Sequence, residues 1–291
     1  MTVNLFDLTY QLASELGIVV ESTATGGSAT TLEDSVILTE ADDHWNKGTV
    51  WILKDAAGAS ALPEGQYAVI SDFDNGNNRC TIGTITAVAS GDTYAITDRR
   101  YKLGDLIMAI NRAIRDAGYI PVTDTTTVDT AAAQTEYDLP IAANHDLRTV
   151  EIETNTSDAD DNQFTPIQFD IQHTAVGTAD LLVFHRQPPT SRDVKLVYMS
   201  PHVKLVDYDD KLSESVPYER VIYRAVVNAM RHYQMKTHED GDWFTGTLRD
   251  YVRRADKADL EHPIKSPKRR AKGLALGRTK TVEKAFGENT I

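Results

Sequence analysis

The feature that most restricts the fold is the period of the apolar residues, which switches repeatedly along the chain. Leu5, Leu8, Leu12 and Leu16 recur at helical spacing, and Gly17 follows as a C-terminal cap. From Ile18 to Thr97 the period is that of strands. Short runs of Thr, Val, Ile and aromatic residues are broken at Gly26-Gly27, Lys47-Gly48, Asp74-Asn75-Gly76 and Ser90-Gly91-Asp92. Thr49–Leu53, Tyr67–Ile70 and Thr84–Val88 read as strands, with Gly26-Gly27 as a hairpin turn. Many short strands with frequent turns predict a small antiparallel sandwich or barrel.

Helical spacing returns with Leu103, Leu106, Ile107, Ile110, Ile114 and Ala117, closed by Gly118 and blocked by Pro121. A second β-rich stretch runs from about Thr127 to Val206. Strands are expected at Glu136–Pro140, Leu147–Ile152, Phe164–Ile171, Asp180–Arg186 and Val194–Met199. Ser215 and Pro217 then start a helix whose apolar face holds Val221, Ile222, Ala225, Val226, Ala229, Met230 and Tyr233. Asp242 is read as the cap of a last helix with Phe244, Leu248, Tyr251, Val252 and Ala255 inward. Pro263 and Pro267 end regular structure. These periods predict an α+β protein. An amphipathic helical bundle (residues 1–17, 99–120 and 212–262) carries two inserted antiparallel β-rich lobes (18–98 and 121–211), followed by an extended basic C-terminal arm (263–291).

Charge is segregated along the same map. The net charge of −13 divides into +6 for Arg253 to Ile291, with 11 basic and 5 acidic residues, and −19 for the remainder. An acidic body repels nucleic acid, whereas a cationic segment seeks phosphate or an acidic protein surface. The arm holds Lys265, Lys268, Arg269, Arg270, Lys272, Arg278, Lys280 and Lys284, interspersed with Leu274, Leu276, Val282 and Phe286. One aromatic residue is too few for a base-stacking platform, so docking on protein, with the apolar residues as anchors, is the favoured reading.

Motifs for chemistry are missing. Neither G-x-x-x-x-G-K-[ST] nor G-x-G-x-x-G occurs, and there is no G-x-S-x-G or H-E-x-x-H. Asp72, Asp74 and Gly76 resemble a calcium loop, but the glycine falls at position five and position twelve is Gly83 instead of glutamate. Asp42-Asp43-His44 and Asp207–Asp210 read as solvated loops or caps. Cys80, the only cysteine, permits no intrachain disulfide and reads as a small buried hydrophobe. Residues 1–16 lack a basic region before an apolar run, and no stretch approaches 18 apolar residues, so neither a secretory signal nor a spanning helix is expected. No catalytic residue, cofactor or metal is predicted.

Three segments carry a family resemblance. Residues 23–32 with Asp42–Ile52 look like a β module of tailed-phage structural proteins. Leu106–Arg115 resembles the core helix of phage head-to-tail connector (adaptor) proteins, and Pro217–Val226 resembles a later helix of the same proteins. The resemblance implies a virion neck protein, assembled in the host cytoplasm, that forms a twelve-fold ring of its own copies. Such a ring sits between the portal protein and a tail or tail-terminator protein. Genomic DNA passes its lumen without specific binding, and no membrane is involved. Carried onto this chain, the ring-forming helices hold Leu103, Leu106, Ile107, Ile110 and Ile114, and Val221, Ile222, Val226 and Met230; the arm reaches the portal. Rival readings are another neck or tail structural role (tail terminator or tail tube), a virion-associated cell-wall hydrolase, and nucleic-acid binding through the arm.

Overall fold

The computed structural model describes residues 3–58, 62–139, 141, 145–154, 163–174, 179–238 and 241–267. The chain divides into two units: Met1–Gly118 with His202–Ile264, and Tyr119–Pro201 with Lys265–Ile291.

The first unit opens with α1 (Leu5–Glu15). Asn4 and Asp7 cap it reciprocally: the Asn4 side chain accepts the Asp7 N–H at 2.8 Å, and the Asp7 carboxylate accepts the Asn4 N–H at 3.2 Å. Gly17, at φ +67°, ends it. Seven strands follow: β1 (Val19–Thr23), β2 (Gly26–Gly27), β3 (Thr31–Glu33), β4 (Thr49–Lys54), β5 (Tyr67–Asp74), β6 (Arg79–Ile82) and β7 (Thr93–Thr97). They form one antiparallel sheet in the order β1-β7-β4-β5-β6-β3-β2. Its two outermost members are neighbours in sequence. Between them the Ala24 N–H donates to the Asp92 carbonyl and the Thr25 N–H to the Glu33 carbonyl, both at 2.8 Å. β1 and β2 are thus two halves of one bent strand, and the sheet closes into a barrel.

Alternation along β4 explains how the barrel is filled and covered. Val50 and Ile52 point inward, into a core with Ile70, Phe73, Cys80, Ile82, Tyr94 and Ile96. Trp51 points the other way, yet it too is fully buried, because Tyr10 of α1 stands edge-on to it at 6.3 Å. Phe6 stacks on Tyr67 at the same distance. β4 therefore has no wet face, which is why its sequence is continuously apolar instead of alternating. Backbones approach closely at Gly48, where a Cβ would lie 1.9 Å from the Thr97 carbonyl oxygen.

The remaining helices of this unit are α2 (Leu103–Asp116), α3 (Tyr218–Thr237) and α4 (Asp242–Glu261). α2 and α3 lie against each other and bury their apolar stripes. α4 lies along α3 but buries only Phe244, Ala255 and Ala258. Charge pairs supplement that thin contact: Arg220 meets Asp259 at 2.8 Å, and Arg224 meets both Asp256 (3.3 Å) and Asp259 (2.5 Å).

The second unit holds β8 (Tyr119–Asp124), β9 (Glu136–Asp138), β10 (Asp146–Glu153), β11 (Phe164–Pro166), β12 (Phe169–Gln172), β13 (Leu181–Phe184) and β14 (Val194–Pro201). They make a four-stranded sheet, β11-β10-β14-β8, and a three-stranded sheet, β12-β13-β9, all antiparallel. One core, including Tyr137, Val150, Ile152, Leu182, Phe184, Val194 and Leu196, draws on both.

The expected fold class needs correcting. The protein is not a helical bundle with inserted β lobes; it is mostly antiparallel sheet, with three sheets and fourteen strands against four α-helices among the described residues. The helices carry apolar stripes, but α1 spends its aromatic residues on the outside of the barrel and α4 contributes three buried side chains. α2, α3 and α4 pack chiefly on one another, and α1 also covers the barrel through Phe6 and Tyr10. Smaller corrections have local causes. Gly26-Gly27 is the strand β2, not a turn. A Cβ on Gly27 would come within 2.7 Å of the Thr31 carbonyl oxygen, so glycine is there for close approach. Thr84–Val88 is not a strand: Ile85 and Val88 donate to the carbonyls of Ala29 and Ser28 in the β2–β3 turn, and Thr86 donates to the Gln66 side chain. The expected strand Phe164–Ile171 is two short ones in different sheets: Ile167 still donates to the Val150 carbonyl at 3.1 Å, and from Phe169 the chain pairs with β13 instead. Gly241 caps α4, and Asp242 is its first residue. Position 140, at the end of another expected strand, lies outside the described residues.

Candidate interaction site

A cavity of about 300 Å³ opens in the first unit where the end of α1, the turn at Arg100-Tyr101, the later part of α3 and the first turns of α4 meet. Its walls are aromatic. The Tyr101 and Tyr233 rings lie 5.0 Å apart, and Phe244 is 6.1 Å from Tyr233. Tyr251 donates its hydroxyl to the Glu15 carbonyl (2.9 Å) and to the Glu15 carboxylate (3.0 Å). Burial, then the bond to Glu15 and its charge, push the Tyr251 hydroxyl up to about 12. Burial does the same for Tyr101, with Tyr233 adding to it.

Of the charged side chains described around the cavity, only Asp98 and Arg100 are joined as an ion pair. Glu15 is half-buried, and among the described residues no Lys, Arg or His stands within ion-pair distance of it. Arg100 also lines the cavity, but its guanidinium is engaged by Asp98 at 2.7 Å. Arg254, one turn further along α4, lies over the Tyr251 ring at 5.1 Å. At the mouth, Trp243 is 80% exposed. Met235 on α3 and Leu260 on α4 are 78% and 82% exposed.

The helix residues expected to form a ring are placed elsewhere. Leu103, Leu106, Ile110, Ile114, Val221, Ile222, Val226 and Met230 are buried in this chain's own interior, and Ile107 is half-buried. Of the arm, Lys265 is described and exposed; Lys268, Arg269, Arg270, Lys272, Leu274, Leu276, Arg278, Lys280, Lys284 and Phe286 lie outside the described residues. Sequence reasoning missed the cavity because its walls come from four separated segments. Trp243 was the available signal, a large apolar residue on the polar side of an amphipathic helix.

The residues weighed for chemistry have structural partners. Cys80 is fully buried, and burial, then Asp72, pushes its thiol up to about 12. Asp42 accepts the Asn75 N–H and Asp43 the Asn46 amide. Asp210 accepts the N–H groups of Val206 and Asp207, which hold its carboxyl below the usual range. Among the described residues no group of three or more His, Cys, Asp or Glu is placed to hold a metal ion, and no helix is long and apolar enough to cross a membrane. No family model matches the chain, and no curated protein matches it.

Proposed function

We propose that this chain is a structural subunit of the head-to-tail connector of a tailed bacteriophage. Copies form a ring that joins the portal to the tail and lines the DNA exit channel, with no catalytic role. The observation that carries this reading is a pair of large apolar side chains left about four-fifths exposed on either side of the turn between two neighbouring helices, Met235 in the last turn of α3 and Trp243 in the first turn of α4. Surface of this kind is characteristic of regions that another macromolecule covers. The segregated charge supports the same reading. A body at −19 presents DNA with a repelling wall, so DNA passes without being held, and the basic arm suits an acidic neighbouring ring. The likeness of Leu106–Arg115 and Pro217–Val226 to connector helices gives the particular assembly.

The test is mass photometry and negative-stain microscopy of the purified chain, alone and mixed with portal rings or with DNA-filled heads lacking tails. Rings that join the portal vertex stoichiometrically are expected. A chain that stays monomeric through the micromolar range and leaves heads undecorated would overturn the proposal.

A further inference from the structure

The cavity between α1, α3 and α4 combines rings on several sides with one half-buried carboxylate, and no cation is paired with that carboxylate among the described residues. Aromatic faces carry negative charge density, and a carboxylate at their edge adds a full charge. Such a site repels anions and gives an uncharged side chain little to bond with. It suits a guanidinium or ammonium on an aliphatic stem, the stem against Tyr101, Tyr233 and Phe244 and the head at Glu15.

From this arrangement we infer that the cavity is a cage for a cationic side chain, and that its occupant is the Lys268-Arg269-Arg270-Ala271-Lys272 cluster of a second copy of this chain. The assignment of a second copy rests on the connector reading. Two observations select the occupant. The densest run of positive charge in the chain begins directly after Pro267, where the described residues end. The rest of the chain, by contrast, is acidic, so a basic cluster is attracted to it before any close contact forms. In a ring every copy offers one cage and one cluster, so a modest contact repeats around the circle. The nineteen residues after Lys272 then remain for the portal, Leu274, Leu276 and Phe286 among them. The root of the arm clips copy to copy, and its outer part reaches the next ring.

The test uses the full-length chain, prepared as an equal mixture of unlabelled and nitrogen-15-labelled copies. It is treated with a carbodiimide, which joins a carboxylate to an amine in contact with it. The expected product links Glu15 to Lys268 or Lys272, with mixed-isotope pairs abundant. Glu15→Gln keeps an acceptor for Tyr251 and should leave the melting temperature unchanged. It should abolish that cross-link and weaken both ring formation and the binding of a labelled 264–291 peptide about tenfold, the loss of one charge-assisted contact on aromatic walls. Alanine at all four basic positions of the peptide should do the same. Rings that form undiminished in Glu15→Gln, or that form in the unaltered chain without any link to Glu15, overturn the inference and leave the connector reading standing. Links confined to single copies overturn the second-copy assignment. If no ring forms at all, the connector reading falls and the assignment with it.

Discussion

Replacing Asp34 by alanine removes the acceptor around which one end of the barrel is arranged. The carboxylate is completely buried and receives the Ser22 hydroxyl at 2.5 Å, the Tyr94 hydroxyl at 2.9 Å and the N–H groups of Val36 and Ile37 at 2.7 and 3.4 Å. Tyr94 is itself fully buried, so its hydroxyl cannot turn to water instead. A hydrogen bond to a charged acceptor contributes about 1.5–3 kcal/mol, and an abandoned buried donor costs about 1–3 kcal/mol. The long Ile37 contact adds little. Bonds that share one acceptor do not add, and the carboxylate's own desolvation offsets part of the gain, so a net loss of about 3–4 kcal/mol is expected. With a urea slope of about 2 kcal/mol/M, the midpoint should fall by about 1.5–2 M. Tryptophan fluorescence follows this unit, since Trp45 and Trp51 are both buried in it. Asp34→Ala combined with Tyr94→Phe should cost less than the two single changes together, by about 1–2 kcal/mol, because the second change removes the donor that the first left stranded. A midpoint shift under about 0.5 M, or strict additivity in the double variant, would refute this account of the barrel.

Three further outcomes follow from the geometry. Gly48→Ala forces a methyl group into the Thr97 carbonyl, 1.9 Å from the ideal Cβ position, and should lower stability by about 3 kcal/mol or more, read as a drop in the melting temperature. Arg224→Ala deletes both of its pairs to α4 and should cost about 1 kcal/mol, visible as faster amide exchange confined to α4 while α2 and α3 keep their protection. Asp193 is a pH test: burial, then Glu153 and Asp129, raise its carboxyl above the usual range. An acid raised in the folded state imposes no penalty below its unfolded pKa of about 3.9, and its penalty grows as pH rises through the folded value. Asp193→Asn should therefore raise the melting temperature of the second unit at pH 7 and leave it unchanged at pH 3. An equal effect at both values would count against crowding of these carboxylates.

What could be read from sequence was whatever is local. Leu103, Leu106, Ile110 and Ile114 define α2 because a helix closes its own hydrogen bonds, and Gly118, at φ +86°, stops it where expected. Trp51 shows the limit. Its run reads as a strand, but nothing nearby reveals that Tyr10, some forty residues earlier, covers the face a barrel normally gives to water. Strand order was equally hidden. β7 pairs with β1 and β4, and the closure at Ala24 depends on Asp92 and Glu33. Glycine gave the most misleading signal, since Gly26-Gly27 serves close backbone approach inside a ladder and not reversal of the chain. The cage could not be foreseen because Glu15, Tyr101, Tyr233 and Trp243 share no period and no segment. Its chemistry is simple once they are brought together.

A ribbon whose two margins are joined has nothing to offer a passing strand. In the first unit the seam at Ala24 and Thr25 uses the main-chain groups that another copy would need for lateral pairing. The second unit's larger sheet is open, but its margins, β8 and β11, carry Pro121 and Pro166, and proline lacks the donor that sideways growth requires. Wherever copies of the chain crowd together, both devices defend against fibre formation. Along these two sheets, side chains and not backbone are left to decide which neighbours are accepted.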